Sequence, residues 1–155
     1  MADLIVLRGQ RNAGKTTTCG FIYQDLLPFV QQHHSFNHRD VTTDSLRLTV
    51  NGTIIDFEAI LILPNGKIVS IISAGDDYQL KAKLEDHITR GAHTIICCTR
   101  SVNRDGSTFR MIQDDFEPNH PIVLERWVIR SADRDFKEAK VGVVNAVVGY
   151  VRRLV

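Results

Sequence analysis

The chain has 155 residues, a net charge of +1, and 43% hydrophobic against 24% charged residues, the make-up of a globular domain with a real core and unlike disordered or collagen-like chains. Nineteen Lys and Arg against eighteen Asp and Glu supply no clear nucleic-acid surface. The longest apolar run, Ala59 to Leu63, falls far short of the roughly 20 residues of a membrane-spanning helix, and an acid at Asp3 with Arg8 close behind does not suit a signal peptide, so no membrane association and a cytoplasmic location are expected.

Residues 3 to 8 are apolar without alternation, as in a strand buried on both faces of a parallel sheet. After a glycine-rich turn, the apolar positions Cys19, Ile22, Tyr23 and Leu26 recur at helical spacing until Pro28 stops them. Gln31 to Arg39 is polar, rich in His, and reads as a loop. Asn51-Gly52 and Asn65-Gly66 each separate two β-rich runs, 46 to 50 from 53 to 57 and 58 to 63 from 67 to 73. Asn-Gly tolerates the positive φ angles of a type I′ turn, so this stretch predicts an antiparallel meander.

Asp76 or Asp77 then caps a helix to about Arg90, with Leu80, Leu84, Ile88 and Ala92 on one face. Thr94 to Cys98 predicts a buried strand, residues 99 to 110 an exposed loop carrying Arg100, Arg104 and Arg110, and Pro121 to Ile129 a further strand with Trp127 in the core. From Asp133 a long surface helix is expected, with Phe136, Ala139, Val143, Val147, Tyr150 and Leu154 on its apolar stripe and Lys137, Lys140, Arg152 and Arg153 opposite. No repeat or linker divides the chain, so residues 1–155 read as a single domain. Cys97 and Cys98 are adjacent in an apolar stretch and Cys19 stands apart, without metal-ligand spacing, as expected of reduced core thiols.

The chemistry concentrates in Gly9-Gln10-Arg11-Asn12-Ala13-Gly14-Lys15-Thr16, which fits G-x-x-x-x-G-K-[ST] between an apolar strand and an amphipathic helix. The fixed positions match by chance in about one chain in a few hundred of this length, before that context is required. Glycines at both ends let successive N–H groups turn inward around a phosphate, and the helix start adds the positive end of its dipole. Lys15 is placed to reach β- and γ-phosphate oxygens, and the Thr16 hydroxyl to complete the shell of a Mg²⁺ between them.

Through these residues, and an α/β element order over most of its length, the chain resembles the P-loop NTPase superfamily. The resemblance implies a three-layer α/β P-loop fold whose mixed sheet contains an antiparallel hairpin region, with a Mg-nucleotide at the carboxyl ends of the strands. It makes Gly9, Gln10, Arg11, Asn12, Ala13, Gly14, Lys15, Thr16 and Thr17 the nucleotide-binding set and calls for an acid after a second buried strand. Asp76, after the strand that ends at Ser73, is the first choice for the metal shell beside Thr16, and Asp77 the second; Asp56 and Glu58, which share one face of the preceding run, are alternatives.

The element order is also similar to that of small GTPases, whose third strand ends in D-x-x-G. Here Ile72 stands at the Asp position and no N-K-x-D follows the strand at 94 to 98, so ATP is the default over GTP. A second similarity is to P-loop small-molecule and nucleotide kinases, in which an arginine-bearing lid closes over the phosphates; Arg100, Arg104 and Arg110 would serve that role. The expected function is Mg-dependent binding and slow hydrolysis of a purine nucleoside triphosphate, with Lys15, Asp76 and Arg100 as the catalytic set. Two rivals remain: a kinase acting on a small-molecule acceptor, and an interaction module whose Thr42 to Phe57 hairpin responds to the γ-phosphate and addresses a protein partner. His33, His34 and His38 lack a matching carboxylate or cysteine set, which argues against zinc.

Overall fold

The computed structural model describes residues 1–10, 13–36, 42–43, 56–74, 79–100, 106–129 and 137–155. In chain order these form β1 (Asp3–Gly9), α1 (Lys15–Leu26), a 3-10 turn (Leu27–Phe29), β2 (Gln32–Phe36), β3 (Thr42–Thr43), β4 (Glu58–Ile62), β5 (Ile68–Ile72), α2 (Leu80–Thr89), β6 (Thr94–Arg100), α3 (Thr108–Asp115), β7 (Ile122–Trp127) and α4 (Lys137–Arg152). The strands make one mixed sheet in the order β3-β2-β4-β5-β6-β1-β7. β5, β6, β1 and β7 run parallel, whereas β4 is antiparallel to β5 and to β2, and β2 to β3.

Alternation along β1 builds both faces. Ile5 and Leu7 pack with Ile22 and Leu26 of α1 and with Val144, Val147 and Val151 of α4. Leu4 and Val6 face the other way, onto Leu80 and Leu84 of α2 and Ile112 of α3. Each such buried Leu or Ile contributes about 1.5–3 kcal/mol, which is why the unalternating apolar run settles at the centre of the sheet with helices on both sides. The expected α/β class with a mixed sheet is therefore present. Among the described residues no helix is long and apolar enough to cross a membrane.

A hairpin joins β4 to β5 as expected, but its turn is not type I′: the Gly66 N–H closes onto the Leu63 carbonyl at 2.8 Å, which puts Pro64 and Asn65 at the centre and leaves Gly66, φ 87°, as the residue after them, and the Leu63 N–H donates to the Lys67 carbonyl at 2.9 Å. The Asn51-Gly52 turn lies outside the described residues. The chain does not run as a simple meander, because β2 sits between β3 and β4. Gln31 to Arg39, expected as a loop, contains β2 instead. Its polar residues are accommodated: His33 Nδ1 hydrogen-bonds the Tyr23 hydroxyl at 2.9 Å, and Ser35 is buried in register with Ala59.

Further corrections concern the second half. The N-cap position of α2 is Gln79 and no side chain caps it; Asp76 and Asp77 lie outside the described residues. Residues 99 to 110 are not one exposed loop: Thr99 and Arg100 complete β6, and Ser107 caps α3 by accepting from the Arg110 N–H. Phe109, Ile112 and Phe116 bury the inner side of that helix. Trp127 is 50% exposed, its ring centroid 4.3 Å from the Arg8 guanidinium, which also lies over the Phe109 ring at 3.7 Å. Lys140, expected on the solvent face of α4, is 2% exposed.

Two local features shape the sheet. β7 carries an extra residue at Val123, since Leu4 pairs with Ile122 and Ile5 with Leu124. Under α2, the fully buried His87 bridges two strands, with Nδ1 on Ser70 Oγ at 2.8 Å and Nε2 on Glu58 Oε1 at 2.9 Å. The network satisfies polar groups that burial would otherwise penalise.

Candidate functional site

The turn after β1 is shaped by steric exclusion. A Cβ on Gly9 would lie 2.8 Å from the Val128 carbonyl oxygen and 3.3 Å from both Ala13 Cβ and Lys15 Cδ, so only glycine lets β1 end against β7 and the turn fold back over it. The Ala13 N–H closes the turn onto the Gln10 carbonyl at 3.1 Å. Gly14 then takes the left-handed conformation, φ 93°, as the N-cap of α1, a conformation that costs a side-chain-bearing residue free energy. The helical ladder starts with Thr18 N–H to the Gly14 carbonyl at 2.9 Å, and the amides ahead of it face the turn as at any helix N-terminus.

Lys15 folds over this turn. Its ammonium donates to the Gly9 carbonyl at 2.8 Å and to the Thr99 carbonyl on β6 at 3.1 Å, and the residue is only 7% exposed. The parallel register places Thr99 beside Arg8 and Arg100 beside Gly9, so β6, rather than β5, borders the turn directly. The next residue, Thr16, donates its hydroxyl to the Asp56 carboxylate, which lies just ahead of β4 and is solvent-exposed. Thr17 is buried, and the Thr18 hydroxyl donates to the Gly14 carbonyl at 2.8 Å.

Of the residues expected from the sequence, Gly9, Ala13, Gly14, Lys15, Thr16 and Thr17 gather at this turn, with Gln10 exposed at its start. Arg11, Asn12, Asp76, Asp77 and Arg104 lie outside the described residues. Arg100 ends β6, its N–H donating to the Thr108 hydroxyl at 3.2 Å. Arg110 lines a cavity of about 320 Å³ with Gly106, Ser107, Met111, Asp114 and Asp115, and two carboxylates there suit a polyphosphate poorly. Asp56 and Glu58 part company: Asp56 meets Thr16 and Glu58 meets His87. Among the described residues no group of three or more His, Cys, Asp or Glu is placed to hold a metal by itself.

Two of the three thiols meet between α1 and β6, and Cys97 lies on the opposite face of the sheet. Cys19 and Cys98 place their sulfurs 3.3 Å apart, both fully buried and unbridged. The hydrogen bond to Cys98 and burial push the Cys19 thiol well above the usual range, and burial does the same to Cys97. Both remain protonated near neutrality, which makes them packing groups instead of nucleophiles.

Helix-start amides and a sequestered ammonium beside a hydroxyl and a carboxylate form a set that complements an oxyanion carrying a hard cation. Sequence reasoning weighed Asp56 only as an alternative acid. It did not find the Thr99 carbonyl, for which no local pattern exists. Compared with known proteins, the chain matches no family model, no curated sequence and no solved structure.

Proposed function

We propose that the chain binds a Mg-complexed purine nucleoside triphosphate, with ATP favoured, at the Gly9 to Thr16 turn, and hydrolyses it slowly as a P-loop NTPase. One observation carries this reading: the Lys15 ammonium and the Thr16–Asp56 pair meet at a single glycine turn opening a helix. A β- or γ-phosphate oxygen can replace the carbonyls that now hold Lys15 without moving the lysine out of the turn, so its charge is already where negative charge develops. The Gly14 backbone and the first amides of α1 cradle the same phosphate.

Thr16 and Asp56 present hard oxygen donors, which fit Mg²⁺. When bound, the ion neutralises charge on the bridging phosphates. Asp56 thus takes the metal-shell role first given to Asp76, while Arg100, in register with Gly9, stays a candidate cation for the developing charge. Calorimetric titration with ATP and GTP, with and without Mg²⁺, followed by phosphate release in the same samples, tests the proposal. Mg-dependent binding that Lys15→Ala abolishes is the expected result; no binding of either nucleotide overturns it.

Asp56 also favours a second reading, a nucleotide-dependent switch with little turnover. The residue that meets Thr16 belongs to the Thr42 to Phe57 stretch, next to its last residue, so a ligand that engages Asp56 acts on that stretch directly. Hydrogen exchange with diphosphate and triphosphate analogues distinguishes the two readings. Protection of the stretch only by the triphosphate, together with negligible phosphate release, selects the switch.

A further inference from the structure

Lys140, Val144, Val147 and Val151 fall on one stripe of α4, at spacings of a buried helix face. An apolar residue at position 140 would continue that seam without taking a charge out of water, a costly transfer unless the charge is well paired. The Lys140 ammonium instead donates to the Ala13 carbonyl at 2.8 Å and to the Ile129 carbonyl at 3.1 Å. It therefore joins three pieces of chain: α4, the glycine turn, and the end of β7 that crowds Gly9.

The bond to Ala13 has a directional consequence. In a trans peptide the C=O and the N–H point to opposite sides, and no cis bond is present among the described residues. Holding the Ala13 oxygen toward α4 turns the Gly14 N–H away from α4. A charged donor also polarises the peptide it binds, which strengthens that N–H as a donor in its own right.

We infer that Lys140 is a positioning residue that aims the Gly14 amide at the bound phosphate and sets the affinity of the turn for polyphosphate. This inference rests on the reading of the turn as a nucleotide phosphate site. It concerns the phosphate moiety alone, so the probe is Mg-tripolyphosphate, which carries no base.

The test compares wild type, Lys140→Met, which keeps the bulk of the stem, and Lys140→Arg, which keeps a charged donor. Calorimetry is run below the melting transition of every variant, with backbone-amide NMR of the ligand-free proteins beside it. Lys140→Met is expected to weaken Mg-tripolyphosphate about tenfold and to shift the Gly14 amide resonance, with Lys140→Arg recovering most of both. A Lys140→Met protein that is folded and binds like wild type, with Gly14 unmoved, shows Lys140 to be a packing residue and overturns the inference.

Should Lys140→Met fail to fold, Lys140→Leu, which likewise removes the donor and continues the apolar seam, takes its place, and wild-type affinity with an unmoved Gly14 amide in that variant overturns the inference equally. Failure of wild type to bind Mg-tripolyphosphate overturns the affinity role, whereas the nucleotide reading falls only if ATP and GTP also fail to bind. An unmoved Gly14 amide in a variant of a binding-competent protein removes the positioning role alone.

Discussion

In the parallel half of the sheet, β5, β6, β1 and β7 lie between helix layers, and the carboxyl ends of β1 and β6 supply the Gly9 and Thr99 carbonyls to which Lys15 donates. From the antiparallel half, the group that reaches the same place among the described residues is the Asp56 carboxylate ahead of β4. The first half fixes a cation through the deepest packing in the molecule; the second brings an anion from an exposed position. Damage to the first should therefore affect every phosphate ligand, and damage to the second only the metal-dependent ones.

The sharpest test of that contrast is Lys15→Ala, expected to lower affinity for ATP about a hundredfold both with Mg²⁺ and with chelator, since hydrogen bonds from a charged donor are lost in either case. Calorimetry reads both conditions. Gly9→Ala should cost about 1–3 kcal/mol of stability in urea unfolding, because its Cβ would lie 2.8 Å from the Val128 carbonyl oxygen and β7 would have to shift.

For the antiparallel half, Asp56→Asn is expected to reduce Mg-ATP affinity about tenfold and leave binding in chelator unchanged. Equal losses in the two conditions would erase the distinction between the halves. The smallest effect is a pH dependence from the buried thiols of the parallel half. With Cys19 and Cys97 raised in the folded state, only the unfolded chain loses these protons as pH passes about 8.5, so stability is constant below that point and declines above it. At one pH unit above the unfolded value the loss is about 1.4 kcal/mol per thiol, readable as a falling urea midpoint that Cys97→Ala makes shallower.

The centre of the parallel half was legible because β1 and β6 carry continuous apolar runs, Leu4 to Leu7 and Ile95 to Cys98, which need no partner to be recognised. β2 was not: His33 and Ser35 look like loop residues until Tyr23 and β4 satisfy and cover them. α3 was hidden by the arginines around it, although the Ser107 cap and the Phe109, Ile112, Phe116 spacing were present in the sequence. The same division runs through the candidate site. The Gly9 to Thr16 motif is contiguous and stands out by its spacing, whereas Asp56 is one of several acids and is brought to Thr16 only by the fold. Lys140 left a signal that was misread, since it stands on the Val144, Val147, Val151 stripe but was assigned to the solvent face for its charge.

The extra residue at Val123 reaches beyond the site. Among the described strands β7 has a neighbour on one side only, and an open strand edge is a template on which another molecule's strand can add. A bulge bends the strand and breaks the even spacing of its outward N–H and C=O groups, and the exposed Arg126 adds a charge that an incoming strand must desolvate. The device that lets β7 follow β1 therefore also guards the open edge against strand-by-strand polymerisation in concentrated solution.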